Sequence, residues 1–264
     1  MSEKLALITG ASAGIGREFA RILASKGLDL LIVARREARL LALKAELEQK
    51  YAITVHCLAI DLAAEGVEQQ ISDKVREIGT PLGWLVNNAG YGITGRLDET
   101  ALSEYERFLK IMLTGPVALT QLLLPDLKKA APAHIINVAS VAAFLPGTPG
   151  AGVYPACKAF IKSYTETLAG ELRNSQVYAT ASCPGMTKTE IFDVMPESAD
   201  VEKMKQRPGM SAAVVAQQAV NAVESGKVVI VHGLVNKIIA AIFSLMPLRL
   251  SMYIVAKAYP LEEN

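Results

Sequence analysis

Tyr154 and Lys158 stand four residues apart, a separation that puts both on one face of a helix. A phenol and an ammonium group meeting at one site can manage a proton. A free Tyr has a pKa of about 10, and a nearby cation favours its ionised form. Lowering that value by about three units takes roughly 4 kcal/mol, and a fixed Lys charge in a partly desolvated cleft is expected to supply much of it. Alone, the pair equally fits a helix surface where a Lys stem covers a Tyr ring.

The surrounding pattern decides between these readings. Leu5 to Ile8 read as a buried parallel strand, Thr9-Gly10-Ala11-Ser12-Ala13-Gly14-Ile15-Gly16 as a turn, and Arg17 to Lys26 as a helix. Such a turn aims backbone N–H groups and a positive helix end at an anion such as a dinucleotide pyrophosphate. Its spacing is Gly-x-x-x-Gly-x-Gly, and a plain tight loop is the competing account. Asn87-Asn88-Ala89-Gly90 follows the apolar Trp84-Leu85-Val86, Ser140 ends the strand-like Ile135 to Ala139, and Pro184-Gly185 ends Val177 to Cys183. All lie at the carboxyl ends of expected strands, where open α/β sheets bind ligands.

In their order and separations these motifs resemble the short-chain dehydrogenase/reductase family. Thr9-Gly10-x-x-x-Gly14-Ile15-Gly16, Asn87-Asn88-Ala89-Gly90, Ser140, Tyr154-x-x-x-Lys158 and Pro184-Gly185-x-x-x-Thr189 fall in register over about residues 4 to 232. The resemblance implies a Rossmann-type, doubly wound parallel sheet and an enzyme interconverting a carbonyl and an alcohol. It makes Ser140, Tyr154 and Lys158 catalytic: Tyr154 gives the proton, Ser140 places the oxygen, and Lys158 tunes Tyr154 and binds ribose hydroxyls. It gives the cofactor to Gly10, Ser12, Gly14, Ile15, Gly16, Asp61, Leu62, Asn88, Ala89, Gly90, Tyr154, Lys158, Pro184, Gly185, Thr187 and Thr189. Asp61 read without the family would cap the next helix.

Position 35 bears on cofactor choice. Where an acidic residue would hold the ribose hydroxyls of NAD, the second strand, Leu30 to Ala34, is followed by Arg35 and Arg36. A guanidinium suits the 2′-phosphate of NADP, so NADP(H) is the expected cofactor. Arg35 and Arg36 are both candidate cofactor contacts, Arg35 the preferred one, and a solvated helix start is the competing account for Arg36.

Helices are expected over Arg36 to Lys50, Ala64 to Ile78, Leu102 to Lys129 with a break near Gly115-Pro116, Tyr154 to Arg173, and from a Ser211 cap to Ser225. Strands are expected over Ile53 to Ile60 and Lys227 to Val231. At 264 residues one domain spanning 1–264 is expected, with an apolar extension over 233–264. A net charge of +1 without a basic block argues against nucleic acid as a partner. Cys57, Cys157, Cys183, His56, His134 and His232 are scattered, so no metal site is expected, and reduced thiols suit a cytoplasmic protein. Met1 to Lys4 is too short and polar for a signal peptide.

One departure stands out: Met112 occupies the position where the family commonly carries an Asn that helps hold a water linking the Lys to solvent. Met186 to Met210, with Ile191, Phe192, Val194, Met195 and Met204, reads either as an adaptable apolar pocket wall or as a surface flap. Ile238 to Ala256 is almost wholly apolar and suits packing over the pocket, a subunit interface, or peripheral membrane contact through 237–258. The favoured reading is a reductase of a small apolar ketone or aldehyde, forming a homodimer or homotetramer as the family does. Two alternatives stay open: a catalytically weak NADP-binding regulator, and a membrane-associated reductase of lipid-like ketones.

Overall fold

Alternate residues of each central strand serve opposite faces of one sheet, and that alternation builds the molecule. The computed structural model describes residues 3–93, 95–147, 150–190, 202 and 209–258. Strands β1 (Leu5–Thr9), β2 (Asp29–Ala34), β3 (Val55–Ala59), β4 (Leu82–Asn87), β5 (Ala133–Val138), β6 (Val177–Cys183) and β9 (Val229–Val231) form a seven-stranded sheet in the order β3-β2-β1-β4-β5-β6-β9. Every pairing in it is parallel. A short pair, β7 (Thr187–Lys188) and β8 (Met210–Ser211), lies outside it.

Helices α1 (Gly14–Ser25), α2 (Glu37–Lys50) and α7 (Ala212–Glu224) cover one face, where Phe19, Leu40 and Val220 meet Ala6, Ile8, Leu30 and Ile32. Helices α3 (Val67–Ile78), α5 (Gly115–Lys129) and α6 (Tyr154–Leu172) cover the other, where Ile71, Leu123 and Leu168 meet Leu5, Leu7, Leu31 and Leu85. Continuous apolar strands are what a sheet buried on both faces requires. The chain winds outward from β1 through β2 and β3, then returns to β4 on the other side of β1. That reversal opens a crevice at the carboxyl ends of β1 and β4, the place where such sheets take ligands.

Several boundaries differ from expectation. Helix α1 begins at Gly14, inside the motif, and β3 is shorter than Ile53 to Ile60. Helix α3 starts at Val67 rather than Ala64, because Asp61 turns the chain first: its backbone carbonyl accepts from Ala64 N and its side chain from Ala63 N. Ser211 holds the position before α7, but its side chain makes no capping bond. No break falls at Gly115-Pro116. Helix α4 (Leu102–Leu109) instead runs through a π-helical turn, Lys110–Thr114, into α5. The whole stretch Leu102–Lys129 is long and apolar enough to cross a membrane by length and composition, yet Phe108, Leu119, Leu123 and Leu127 on it are core residues. After β9, α8 (Leu234–Leu245) and α9 (Leu248–Ala258) are separated at Met246-Pro247.

Two histidines are kept neutral by burial, His232 wholly and His134 partly. His232 lies between Ser182 Oγ at 2.9 Å from Nε2 and Gln218 Oε1 at 2.9 Å from Nδ1, and burial holds its pKa down at about 4. His134 stacks on Trp84 with ring centroids 4.2 Å apart and is lowered, also by burial, to about 4. Because the unfolded value is about 6.5, both groups contribute stability that is complete above that pH and is lost as pH falls toward 4. For His232 alone the loss amounts to about 3 kcal/mol. Urea midpoints are expected to hold steady near neutrality and drop below pH 6.5, with a shallower drop in His232→Asn. An unchanged slope in that variant would contradict this assignment.

Candidate active site

The β1–α1 turn is closed by contacts too tight for a side chain. A Cβ at Gly16 would lie 2.3 Å from the Gly10 carbonyl oxygen and 2.4 Å from Asn88 Nδ2, and Gly10 itself has φ of +69°. Asn88 donates from Nδ2 to Thr9 O (2.9 Å) and Gly10 O (3.3 Å), while the N–H groups of Asn88 and Ala89 donate to Thr9 Oγ1. Asn88 and Ala89 thus brace the turn through strand β4. No side chain caps Ala13 at the start of α1, so the first-turn N–H groups face outward as an anion cradle requires. Ile15 packs into the core behind the turn.

Of the two arginines expected on the basic side of this cradle, Arg36 reaches the turn. Arg36 donates to Ser12 Oγ from Nε (3.3 Å) and Nη2 (3.1 Å), and from Nη1 to Glu190 Oε2 (2.9 Å). Arg39 donates to the same Glu190 oxygen at 2.5 Å. These hydrogen bonds, from Arg39 first and then Arg36, hold the Glu190 carboxyl below its usual range. Arg36 is the residue just before α2, and its side chain folds back over the glycine turn. Arg35 is exposed, and its charge is felt at Asp61 and Tyr91 instead. Arg39 was not legible as a site residue. Its only signal is that it lies one helical turn beyond Arg36 on a face already basic.

Two further positions sit close by. Asp61 accepts from Arg107 Nη2 at 2.6 Å; burial pushes its pKa up, and the bonds from Ala63 N and Arg107 outweigh that and bring it down. Leu62 packs against the second core cluster. Thr189 lies against the turn, its Cγ2 3.0 Å from where a Gly14 Cβ would stand, and Thr187 Oγ1 donates to Gly185 O at 3.0 Å. The strip from Gly185 to Glu190 therefore crosses the turn. Ile191, Phe192, Val194, Met195 and Met204 lie outside the described residues.

Ser140, Tyr154 and Lys158 converge at the ends of β5 and α6. Ser140 Oγ accepts from Ala142 N (3.1 Å), capping a 3-10 turn over Val141–Phe144, and donates to Pro184 O at 3.4 Å. Lys158 is buried, donates from Nζ to Val138 O at 2.8 Å, and lies 5.6 Å from the Tyr154 ring centre. Burial lowers its pKa to about 8. The expected depression of Tyr154 by Lys158 is absent from this arrangement. Burial raises the Tyr154 pKa, and a hydrogen bond with Ser140 pulls only partly against it. The reason is that Nζ is turned to the Val138 carbonyl, so the dominant force on the phenol is loss of water. Tyr154 accordingly holds its proton at neutral pH.

Met112 lies in the π-helical turn, buried, with its Sδ 2.8 Å from where a Cβ on Gly90 would stand and Lys158 Nζ 3.9 Å from that same point. The thioether and the ammonium thus flank Gly90. A thioether donates no hydrogen bond, so Met112 cannot stand in for an Asn amide in holding a water beside Lys158. Tyr91, Ile93, Phe108 and Val153 surround Met112 and Tyr154 with apolar surface.

A glycine-turn anion cradle beside a Ser–Tyr–Lys proton site, at the switch point of a parallel sheet, defines a dinucleotide-binding oxidoreductase fold. The chain belongs to the short-chain dehydrogenase family, whose model matches residues 4–200. It is 36% identical over 188 residues to sulfoacetaldehyde reductase 2 of Chromohalobacter salexigens, covering 70% of this chain and 73% of that protein. It is also 36% identical over 179 residues to the very-long-chain 3-oxoacyl-CoA reductase of Kluyveromyces lactis, covering 65% of this chain. There the chain spans about half, 51%, of the relative's length. Among solved structures, a short-chain dehydrogenase from Sphingobium yanoikuyae in complex with NADPH superposes with a TM-score of 0.80 at 27% identity, over 92% of this chain and 96% of that one. One from Burkholderia phymatum in complex with NAD also gives 0.80 at 27% identity, over 90% and 92% of the respective chains.

Proposed function

We propose that this protein is an NADP(H)-dependent reductase that converts an apolar ketone or aldehyde to its alcohol. The observation that carries the cofactor choice is the seating of Glu190: two guanidiniums, one of them also bound to the glycine turn, already grip an anion. Guanidinium forks that hold a carboxylate suit a phosphate by the same geometry. The residues named above fit a dinucleotide, since the turn excludes side chains and directs N–H groups outward. When bound, the nicotinamide supplies the hydride to the carbonyl carbon.

The chain supplies the proton and the positioning. A carbonyl oxygen placed between Ser140 and Tyr154 accepts hydrogen bonds from both hydroxyls, and Tyr154 Oη releases its proton to that oxygen as negative charge develops there. The raised pKa of the phenol keeps that proton available until then. Lys158, held by Val138 O, would bind the nicotinamide-ribose hydroxyls. Tyr91 and Val153, partly exposed beside Tyr154, favour a substrate with an apolar body, and both relatives quoted above are reductases by name. A second reading, a cofactor-binding protein with slow turnover, is favoured by Met112 alone. A single fast turnover followed by slow steady state would support it.

Arg36→Ala with Arg39→Ala is expected to weaken NADPH binding by tenfold or more, since hydrogen bonds to charged groups are worth about 1.5–3 kcal/mol each. NADH binding should change little. Glu190→Gln should act the other way, tightening NADPH by removing a competing anion. Isothermal titration with both cofactors checks this, and an unchanged NADPH-to-NADH ratio in the double variant would overturn the NADP assignment.

A further inference from the structure

The last two helices are apolar on their outward side as well as their inward one. On α8, Asn236, Ile239, Ala240 and Phe243 form the side turned toward the protein. The outward side carries Leu234, Ile238, Ile242 and Leu245, which are 74%, 52%, 48% and 87% exposed. On α9, Ser251 and Val255 are buried while Leu248 and Met252 are exposed. A surface helix of a soluble domain presents polar residues to water, and one that is apolar on both sides is covered by something apolar.

Charge says what covers it. Between residues 234 and 258 there is no Asp or Glu, while Lys237, Arg249 and Lys257 are all exposed. An outward face of aliphatic side chains with cations only is complementary to the acyl–headgroup boundary of an anionic bilayer. A second copy meeting this face symmetrically would bring cations against cations, which disfavours that occupant. Neither helix is long enough to span, at 12 and 11 residues, against about 20 for a crossing helix. The surface also adjoins the reaction site. Helix α8 packs on the 3-10 turn that follows Ser140, and Asn236 Nδ2 stands 2.4 Å from where a Cβ on Gly185 would be.

We propose that α8 and α9 dock this protein peripherally on anionic membrane, with the mouth of its active site beside the bilayer surface. This goes beyond the reductase reading and does not depend on it. The test is cosedimentation of the full chain with vesicles of phosphatidylcholine alone and of phosphatidylcholine mixed with phosphatidylglycerol. Binding is expected on the mixed vesicles, weakening as salt is raised. Each of Lys237→Gln, Arg249→Gln and Lys257→Gln should reduce partitioning about fivefold, the equivalent of ~1 kcal/mol per cation. Ile242→Asn with Leu245→Asn should abolish it while leaving NADPH binding, the check on folding, at the parent value. Absence of binding to the mixed vesicles, or binding indifferent to lipid charge, would overturn the proposal. So would sedimentation equilibrium showing a dimer that Ile242→Asn with Leu245→Asn dissociates, because the face would then belong to a second copy.

Discussion

Tyr154→Phe is expected to lower the rate of carbonyl reduction by 10²–10⁴-fold, the usual contribution of a positioned acid. The substitution removes one oxygen and leaves the ring packed against Met112 and Val153. It also removes the partner of Ser140, so the oxygen-placing hydroxyl loses part of its orientation. NADPH affinity should stay near the parent value, because the glycine turn and the two arginines are untouched. Stopped-flow absorbance of NADPH with the best substrate from a carbonyl panel reads both quantities. A variant that reduces its substrate at the parent rate would remove Tyr154 from the chemistry.

Gly16→Ala should do comparable damage by a different route. The added methyl would meet a backbone oxygen at 2.3 Å and the Asn88 amide at 2.4 Å, and neither is the loose end of a flexible side chain. Overpacking of this kind costs about 1–3 kcal/mol. Relief has to come from moving the Gly10 carbonyl or the Asn88 brace, which distorts the cradle itself. Thermal denaturation should show lower stability, and NADPH affinity should fall at least tenfold. Gly170→Ala, in α6 with nothing within 4 Å of an added Cβ, is the control. It should be neutral or stabilise by about 0.5–1 kcal/mol. Equal behaviour of the two variants would mean that the turn tolerates a side chain.

Much of this was legible because chemistry and periodicity coincide. The strand ends that carry Gly10, Asn88, Ser140 and Pro184 follow apolar runs whose length leaves little choice of element. The doubly wound parallel sheet followed from the family resemblance. What was not legible depends on where single side chains turn. Arg35 and Arg36 are adjacent and alike in sequence, and only the geometry at the start of α2 decides which reaches Ser12. Arg39 and Glu190 are separated by most of the chain and meet only after folding. The π-helical turn at Lys110–Thr114 has no signature in residue type, and Gly115-Pro116 looks like a break although Pro116 falls in the first turn of α5, where its missing N–H costs nothing. Proximity in sequence does not say where Nζ points, so the direction in which the Tyr154 pKa moves is set by burial once the chain folds.

Deep in the sheet, Asn87 and Asn137 stand opposite each other in the pairing of β4 with β5. The Asn87 amide donates to Asn137 Oδ1 at 2.9 Å and to Thr120 Oγ1 at 3.1 Å, and Asn137 donates onward to Thr165 Oγ1 at 2.9 Å. These four side chains tie two strands to α5 and α6 through the apolar core. If β5 slipped by one residue, the Asn137 side chain would pass to the opposite face and strand both amides among hydrocarbon. Each unpartnered amide there would cost on the order of 1–3 kcal/mol, so the chain acts as an alignment pin. Gly90 lies three residues past Asn87, and Ser140 three past Asn137. Asn137 therefore fixes the height of Ser140 against Gly90, and through Thr165 it fixes the depth of the helix that carries Tyr154 and Lys158. The spacing of the reacting groups is gauged by a polar thread that no substrate touches.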